Sequence, residues 1–276
     1  MALYLLLTVM ERESGIRMRS SDLSASELQP RRLHLLYHEL RESESEYSYI
    51  VTTQQFAGHL ALLCADESVQ AGPRPEFTFD DGHISDFEHA LPLLSEQRVK
   101  ASFFITAGWT GSRTGYMGWS ELRALQEAGH SIGAHGWSHA LLPHCSDVEL
   151  DQELRVARLV LEDRLGSAID SMSFPGGRYD KRVLKACHQA GYTRLYTSEP
   201  RTHLSGGVIG RVNVRGSMTN TYLQKLFDER SGALTSLERQ YVLKAFLQKL
   251  LGDRFYASLW SMINRKQPDA DAVSKA

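Results

Sequence analysis

The sequence predicts an α/β fold: a distorted (β/α)7-type barrel with a helical C-terminal appendage. Three observations carry this expectation. First, seven short β-type runs alternate with segments of helical periodicity, which implies a parallel sheet covered by helices. Second, the residues able to do chemistry lie just after those runs, and the C-terminal strand ends are where α/β folds place their sites. Third, beyond Val214 the alternation stops and only helical patterns remain. An open doubly wound sheet satisfies the same alternation and is the structural alternative.

The strand candidates are LHLLY (33–37), FTF (77–79), ASFFIT (101–106), SIGA (131–134), SMSF (171–174), RLYTS (194–198) and VIGRVNV (208–214). Helical stripes sit between them. Phe56, Leu60, Leu63 and Cys64 share one face, as do Ile84, Phe87, Leu91 and Leu94. Ser120 to Ala128 reads as a short helix closed by Gly129. Ser146 with Glu149 forms a capping box ahead of a stripe at Leu150, Leu154, Ala157, Leu161 and Leu165. Asp180 caps a helix that runs to Ala190 and stops at Gly191.

Residues 217–266 read as helices with eight Lys/Arg against four Asp/Glu from Gly216 to Lys266. Such a segment suits packing on the barrel, or peripheral contact with a membrane surface. The tail 267–276 is expected to be disordered. At the other end, the apolar run Ala2–Met10 is too short to span a membrane and lacks a basic start and a cleavage site, so a signal peptide is not expected.

Composition narrows the class. Hydrophobic residues make up 42% and charged residues 23%, as in an ordinary globular protein, and the net charge of −2 leaves no basic field for a nucleic-acid partner. The three cysteines, Cys64, Cys145 and Cys187, form no CxxC pair and no disulfide framework, which favours a reducing compartment.

The run FTFDDGH (77–83) places two adjacent carboxylates at a strand end. Side chains alternate along a strand, so Asp80 and Asp81 cannot converge while the chain stays extended. Gly82 permits the sharp turn that lets them. Two close carboxylates repel unless a cation lies between them or one holds a proton. A lone DDG is otherwise a polar turn. The run SIGAHGWSHA places His135 and His139 four apart after another strand end, close enough to hold one ion. One Asp and two His form an O, N, N ligand set suited to Zn²⁺, and Co²⁺, Ni²⁺ or Fe²⁺ also bind it. The same set serves iron oxygenases. A third strand end reads SFPGGRYD, where Pro175 ends the strand and Gly176 frees the backbone to meet a developing oxyanion. A fourth ends in His38, and His83 follows Gly82 into the same region. Trp109, Trp119, Trp137 and Tyr179 lie on nearby loops and could wall a glycan groove or simply pack.

Together these four strand ends resemble the polysaccharide deacetylases, carbohydrate esterase family four. The Thr-Phe-Asp-Asp-Gly motif is present unaltered at 78–82, His135 and His139 match the His-x-x-x-His pair, and Phe174-Pro175-Gly176-Gly177 stands at the third motif. The resemblance covers roughly 32–214. It implies a catalytic domain over 31–216, between an N-terminal extension (1–30) and the helical appendage (217–266). It implies that Asp80 is the general base, that Asp81, His135 and His139 hold a divalent metal such as zinc, and that the Gly176 backbone is the oxyanion donor. Two departures stand out. The family's third motif carries an Arg two residues before the proline, and here that residue is Ser173, with Arg178 the nearby candidate to compensate. No histidine follows His203, so the usual late general-acid histidine is missing. Poly-N-acetylglucosamine deacetylases, with a shifted strand order, instead carry it after a tyrosine in the first strand, which Tyr37-His38 matches. His38 is therefore the expected general acid, with Pro175, Arg178 and His83 contacting substrate.

The implied activity is metal-assisted removal of N-acetyl groups from an amino-sugar polysaccharide, oligosaccharide or precursor glycan, as in cell-surface polysaccharide biosynthesis. The alternatives are deacylation of a lipid-linked sugar and a degenerate homologue that binds glycan without turnover. The expected location is the cytoplasm or the inner face of a membrane.

Overall fold

The computed structural model describes residues 33–65, 75–201 and 204–251. The apolar run 2–10 and the tail 267–276 lie outside them. Strands β1 (His34–Tyr37), β4 (Glu76–Phe79), β5 (Ala101–Ile105), β6 (Ser131–Ala134), β7 (Ser171–Ser173), β8 (Arg194–Thr197), β9 (Val208–Gly210) and β10 (Val212–Asn213) form one all-parallel sheet. The order is β10-β1-β4-β5-β6-β7-β8-β9, so the edges are β9 and β10. Only Arg211 separates these two in the chain. The run 208–213 is thus one bent strand that pairs with β8 on one side and β1 on the other, and it nearly closes the barrel. This settles the choice against an open sheet. One pairing lay beyond the expected strands. A small parallel pair, β2 (Glu39–Arg41) with β3 (Ile50–Thr52), leaves the rim directly after His38.

The helices follow the periodicity. Helix α1 (Thr53–Ala65) carries Phe56, Leu60 and Leu63 into the core. The next segment begins with a π-helical turn, Asp86–Ala90, and continues as α2 (Leu91–Glu96). After β5 comes α3 (Trp119–Glu127). The Ser146 hydroxyl accepts from the Glu149 N–H and starts α4 (Asp147–Asp151), and a second π-helical turn, Gln152–Val156, leads into α5 (Ala157–Leu165). The Asp180 carboxylate accepts from the Val183 N–H, 2.8 Å away, to start α6 (Lys181–Gln189). Helix α7 (Asn220–Phe227) buries Leu223 and Leu226 in the main core, and α8 (Ala233–Leu251) follows. No described helix is long and apolar enough to cross a membrane.

Strand alternation divides the sheet residues into two sets. Leu35, Tyr37, Phe77, Phe79, Phe103, Ile132, Met172 and Leu195 join the apolar cluster with the helices. The alternate residues include Thr78, Ser102, Ser171 and Ser173, all buried and polar. This second face is crowded as well. A Cβ on Gly133 would stand 2.6 Å from both the Phe104 ring and the Ser171 Oγ, so the strand needs glycine there. Register aligns the strand ends at one rim: Tyr37 pairs with Phe79, Ile105 with Ala134, and Ala134 with Met172. His38, Asp80 and His135 each follow one of these ends.

Candidate active site

Asp80 continues the alternation of β4 and faces the polar side with Thr78. The next residue would ordinarily point away. Instead Asp81 takes φ +76° and Gly82 φ +82°, which turns the chain back on itself. A non-glycine residue in this region costs on the order of 1–3 kcal/mol, a strain characteristic of functional positions. His139 holds φ +63°, so two of the three expected ligands occupy the left-handed region.

The turn brings the ligand set together. Asp81 Oδ1 lies 3.2 Å from His135 Nε2 and 3.4 Å from His139 Nε2. Tetrahedral ligands on one zinc-like ion, each about 2.0–2.1 Å from it, stand about 3.3 Å apart. The donor set therefore fits a divalent ion. Among the described residues it is the one cluster of its kind, and Asp81 Oδ1 is buried without a hydrogen-bond partner. His135 Nδ1–H donates to the Ser173 carbonyl at 2.9 Å, which fixes the tautomer and turns Nε2 toward Asp81. Burial disfavours charge on all three groups. For Asp81, the close approach of His135 and the charges of His135 and His139 outweigh it and hold the carboxyl well below the usual range. For His135, Asp80 and Asp81 outweigh burial and raise the pKa. For His139, burial prevails and the pKa falls.

Asp80 is buried and meets a partner the sequence reading did not identify. Arg211 binds it through two parallel bonds, Nη1 to Oδ1 and Nη2 to Oδ2, both 2.7 Å. The Ser173 hydroxyl donates to Asp80 Oδ2 at 2.9 Å, and Arg211 Nη2 donates to the same hydroxyl at 2.7 Å. Arg211 also reaches Thr78 Oγ1 and the Thr197 carbonyl. Its guanidinium is fully buried, 5.3 Å from the Phe104 ring centroid and 5.7 Å from that of Tyr196. Burial pushes the Asp80 pKa up, but Arg211 and then His135 pull it below its ordinary value, so the carboxylate stays ionised. Arg178 is the nearby candidate to compensate for the missing motif arginine. It is half-buried on the turn after β7, and the Asp80 partner is Arg211. The signal was present in VIGRVNV: a charged side chain inside an apolar strand needs a buried partner.

His38 sits at the end of β1, within the field of Asp80 and Asp81. Burial lowers its pKa, and the two aspartates oppose that shift. Its Nδ1 is buried without a hydrogen-bond partner, and its ring packs on Tyr49 at 5.2 Å. Gly176 has φ +61° on an exposed turn, while Pro175 is buried beneath it. His83 is half-buried beside the Asp81 turn, 2.8 Å from Ser85 Oγ and edge-on to Tyr116. Of the loop aromatics, Trp109 stacks on His139, Tyr179 stacks on Phe174, and Trp119 meets Arg164.

A second missed residue is Glu153. It is buried in the π-helical turn before α5 and accepts from the backbone N–H groups of Trp137 and Ser138 and from the Ser138 hydroxyl. One carboxylate thus holds the loop that joins the two histidines. Asp86, in the other π-helical turn, is fully buried with neither oxygen hydrogen-bonded; burial, Asp81, Asp80 and Glu39 keep its pKa well above the ordinary value. Such π-turns are frequent at functional sites.

Residues 71–195 match the family model for polysaccharide deacetylase. A chitin deacetylase from Pestalotiopsis sp is 34% identical over 115 residues, which is 42% of this chain and 38% of that protein. A chitooligosaccharide deacetylase from Bradyrhizobium sp. (strain ANU 289) is 26% identical over 134 residues, 48% of this chain and 59% of that protein. The chain spans about half the length of the curated relatives it matches. Among solved structures, the Streptococcus pyogenes deacetylase PplD superposes with a TM-score of 0.62 at 19% identity, covering 71% of this chain and 98% of that one. IcaB from Ammonifex degensii gives a TM-score of 0.60 at 19% identity, covering 74% and 97%. These superpositions establish the shared fold.

Proposed function

We propose that this chain, whose residues 71–195 belong to the polysaccharide deacetylase family, is a metal-dependent hydrolase that removes N-acetyl groups from an amino-sugar glycan. The single observation that carries the reading is the convergence of Asp81, His135 and His139 beside an ionised Asp80. A divalent ion held by those three residues would supply a Lewis acid, zinc being the simplest choice for this donor set.

The remaining steps belong to the chain's own groups. Asp80 takes a proton from the attacking water. Arg211 and Ser173 use three of the roughly four acceptor positions of its carboxylate, and one remains free for this task. The Gly176 N–H donates to the oxygen of the tetrahedral adduct. His38, protonated, gives its proton to the sugar nitrogen as the C–N bond breaks, releasing amine and acetate. His83, Arg178 and the turn shaped by Pro175 face the glycan. A non-catalytic glycan binder drew its support from serine at 173 in place of an arginine, and that support weakens because Arg211 supplies a guanidinium to Asp80 and to the Ser173 hydroxyl.

The test is metal content per chain by elemental analysis, beside His139→Ala, followed by acetate release from N-acetylated oligosaccharides. About one divalent ion per wild-type chain, little in the variant, and metal-dependent acetate release are expected. Wild-type protein that binds no metal after loading and dialysis overturns the reading.

A further inference from the structure

Two arginines rest on aromatic rings that themselves pack on site histidines. Arg113 lies over the Trp109 ring at 4.2 Å and over Tyr116 at 4.9 Å, and Trp109 in turn stacks on His139, 5.6 Å between centroids at 29°. On the opposite flank, Arg215 lies over the Tyr49 ring at 5.4 Å, and Tyr49 packs on His38 at 5.2 Å. Each guanidinium is thus separated from a site histidine by one aromatic ring.

Neither arginine has a carboxylate partner among the described residues, whereas Arg41 pairs with Glu39 and Arg201 with Glu199. The perch of Arg113 is built. Its loop is tied to the Asp81 turn by the Met117 N–H to the Gly82 carbonyl at 3.0 Å and the Ile84 N–H to the Gly115 carbonyl at 2.8 Å. It is tied to the histidine loop by the Gly108 N–H to the Trp137 carbonyl at 2.9 Å.

A guanidinium resting on an aromatic face keeps its planar N–H edges free, and the fork of donors matches carboxylate and phosphate oxygens. The aromatic rings beneath suit the apolar faces of sugars. Glu42, Glu44 and Glu46, on the excursion between β2 and β3, are exposed. An oxyanion would therefore be held by direct contact rather than drawn in by a basic field.

We infer that the site takes an acidic glycan, in which units bearing an oxyanion flank the N-acetylated sugar and are read by Arg113 and Arg215. This rests on the deacetylase reading and narrows its substrate class. The oxyanion is either a uronate carboxylate or a linking phosphodiester.

The test is titration calorimetry on the full chain with three probes of matched length: neutral N-acetylchitotetraose, a tetrasaccharide alternating N-acetylglucosamine with glucuronate, and a phosphodiester-linked N-acetylhexosamine oligomer. Acetate release is followed in parallel, and folding of the variants is checked by circular dichroism. At least one acidic probe is expected to bind about tenfold or more tightly than the neutral one, and the tighter acidic probe identifies the source of the charge. Arg113→Gln and Arg215→Gln should each reduce that preference several-fold, and the double variant should bring it near one. Equal affinities in wild type, or a preference that survives in the double variant, overturn the inference. Acetate release decides the deacetylase reading separately, since a charge preference without release removes that reading alone.

Discussion

Arg211 and Asp80 form a fully buried bidentate pair although they are 131 residues apart in the chain. The guanidinium comes from the one-residue bend that nearly closes the barrel, and it reaches the carboxylate past Ser173. A single contact therefore joins the closing strand to the expected base.

Removing one partner of a buried pair leaves the other charged and unpaired, at a cost of about 3–5 kcal/mol. Arg211→Ser should lose about that much stability in urea unfolding and most of the activity. Ser173 sits beside the same space, so Ser173→Arg in the Arg211→Ser background should restore part of both. A double variant no better than Arg211→Ser would show that the guanidinium cannot be supplied from β7.

Glu153 accepts from two backbone N–H groups and one hydroxyl of the loop between the histidines. Glu153→Ala should weaken metal binding about 10–100-fold, the usual effect of losing a group that orients ligands. Competition with a chromogenic chelator measures it. Unchanged affinity would mean that the two histidines hold their geometry without this clamp.

Gly108 packs where the loop after β5 meets the histidine loop. A Cβ there would stand 2.5 Å from the Trp137 carbonyl oxygen, a backbone atom that cannot move alone. Gly108→Ala should therefore destabilise the fold by about 1–3 kcal/mol, as overpacking does, and lower metal content with it. Thermal unfolding with and without added Zn²⁺ separates the two effects.

His59 is fully buried, with its Nδ1 3.1 Å from the Tyr37 hydroxyl. Burial lowers its pKa from 6.5 to about 4. Between these values the unfolded chain binds a proton that the folded chain does not. Stability from this group is therefore whole above pH 6.5, falls as pH drops through that window, and is fully lost below about 4. The loss amounts to about 3 kcal/mol. His59→Asn keeps an acceptor near the Nδ1 position but does not titrate. Its urea-unfolding free energy should vary less with pH across that window than the wild type's, even where its absolute stability is lower. Identical pH slopes would count against the assignment.

Much of the site was legible in the chain because its determinants are local. Thr78 to Gly82, His135 to His139 and Pro175 to Gly177 each carry their own strand end and turn, and register sets the strand ends at one rim. The helix starts at Ser146 and Asp180 were legible for the same reason, since a cap is made within three residues. The parallel pair β2–β3 was not, because its strands are three residues each and their pairing is not encoded by alternation.

By itself, then, the sequence determined the order of strands and helices, the turn that lets two neighbouring aspartates face one site, and the residues gathered at the rim. Tertiary packing decided the rest. Barrel closure brought Arg211 to Asp80, the π-helical turn before α5 set Glu153 against the histidine loop, and loop packing laid Arg113 over Trp109 and Arg215 over Tyr49. The physical reason is that a buried charge must find its partner in space, and spacing along the chain does not tell which of 31 lysines and arginines will be near.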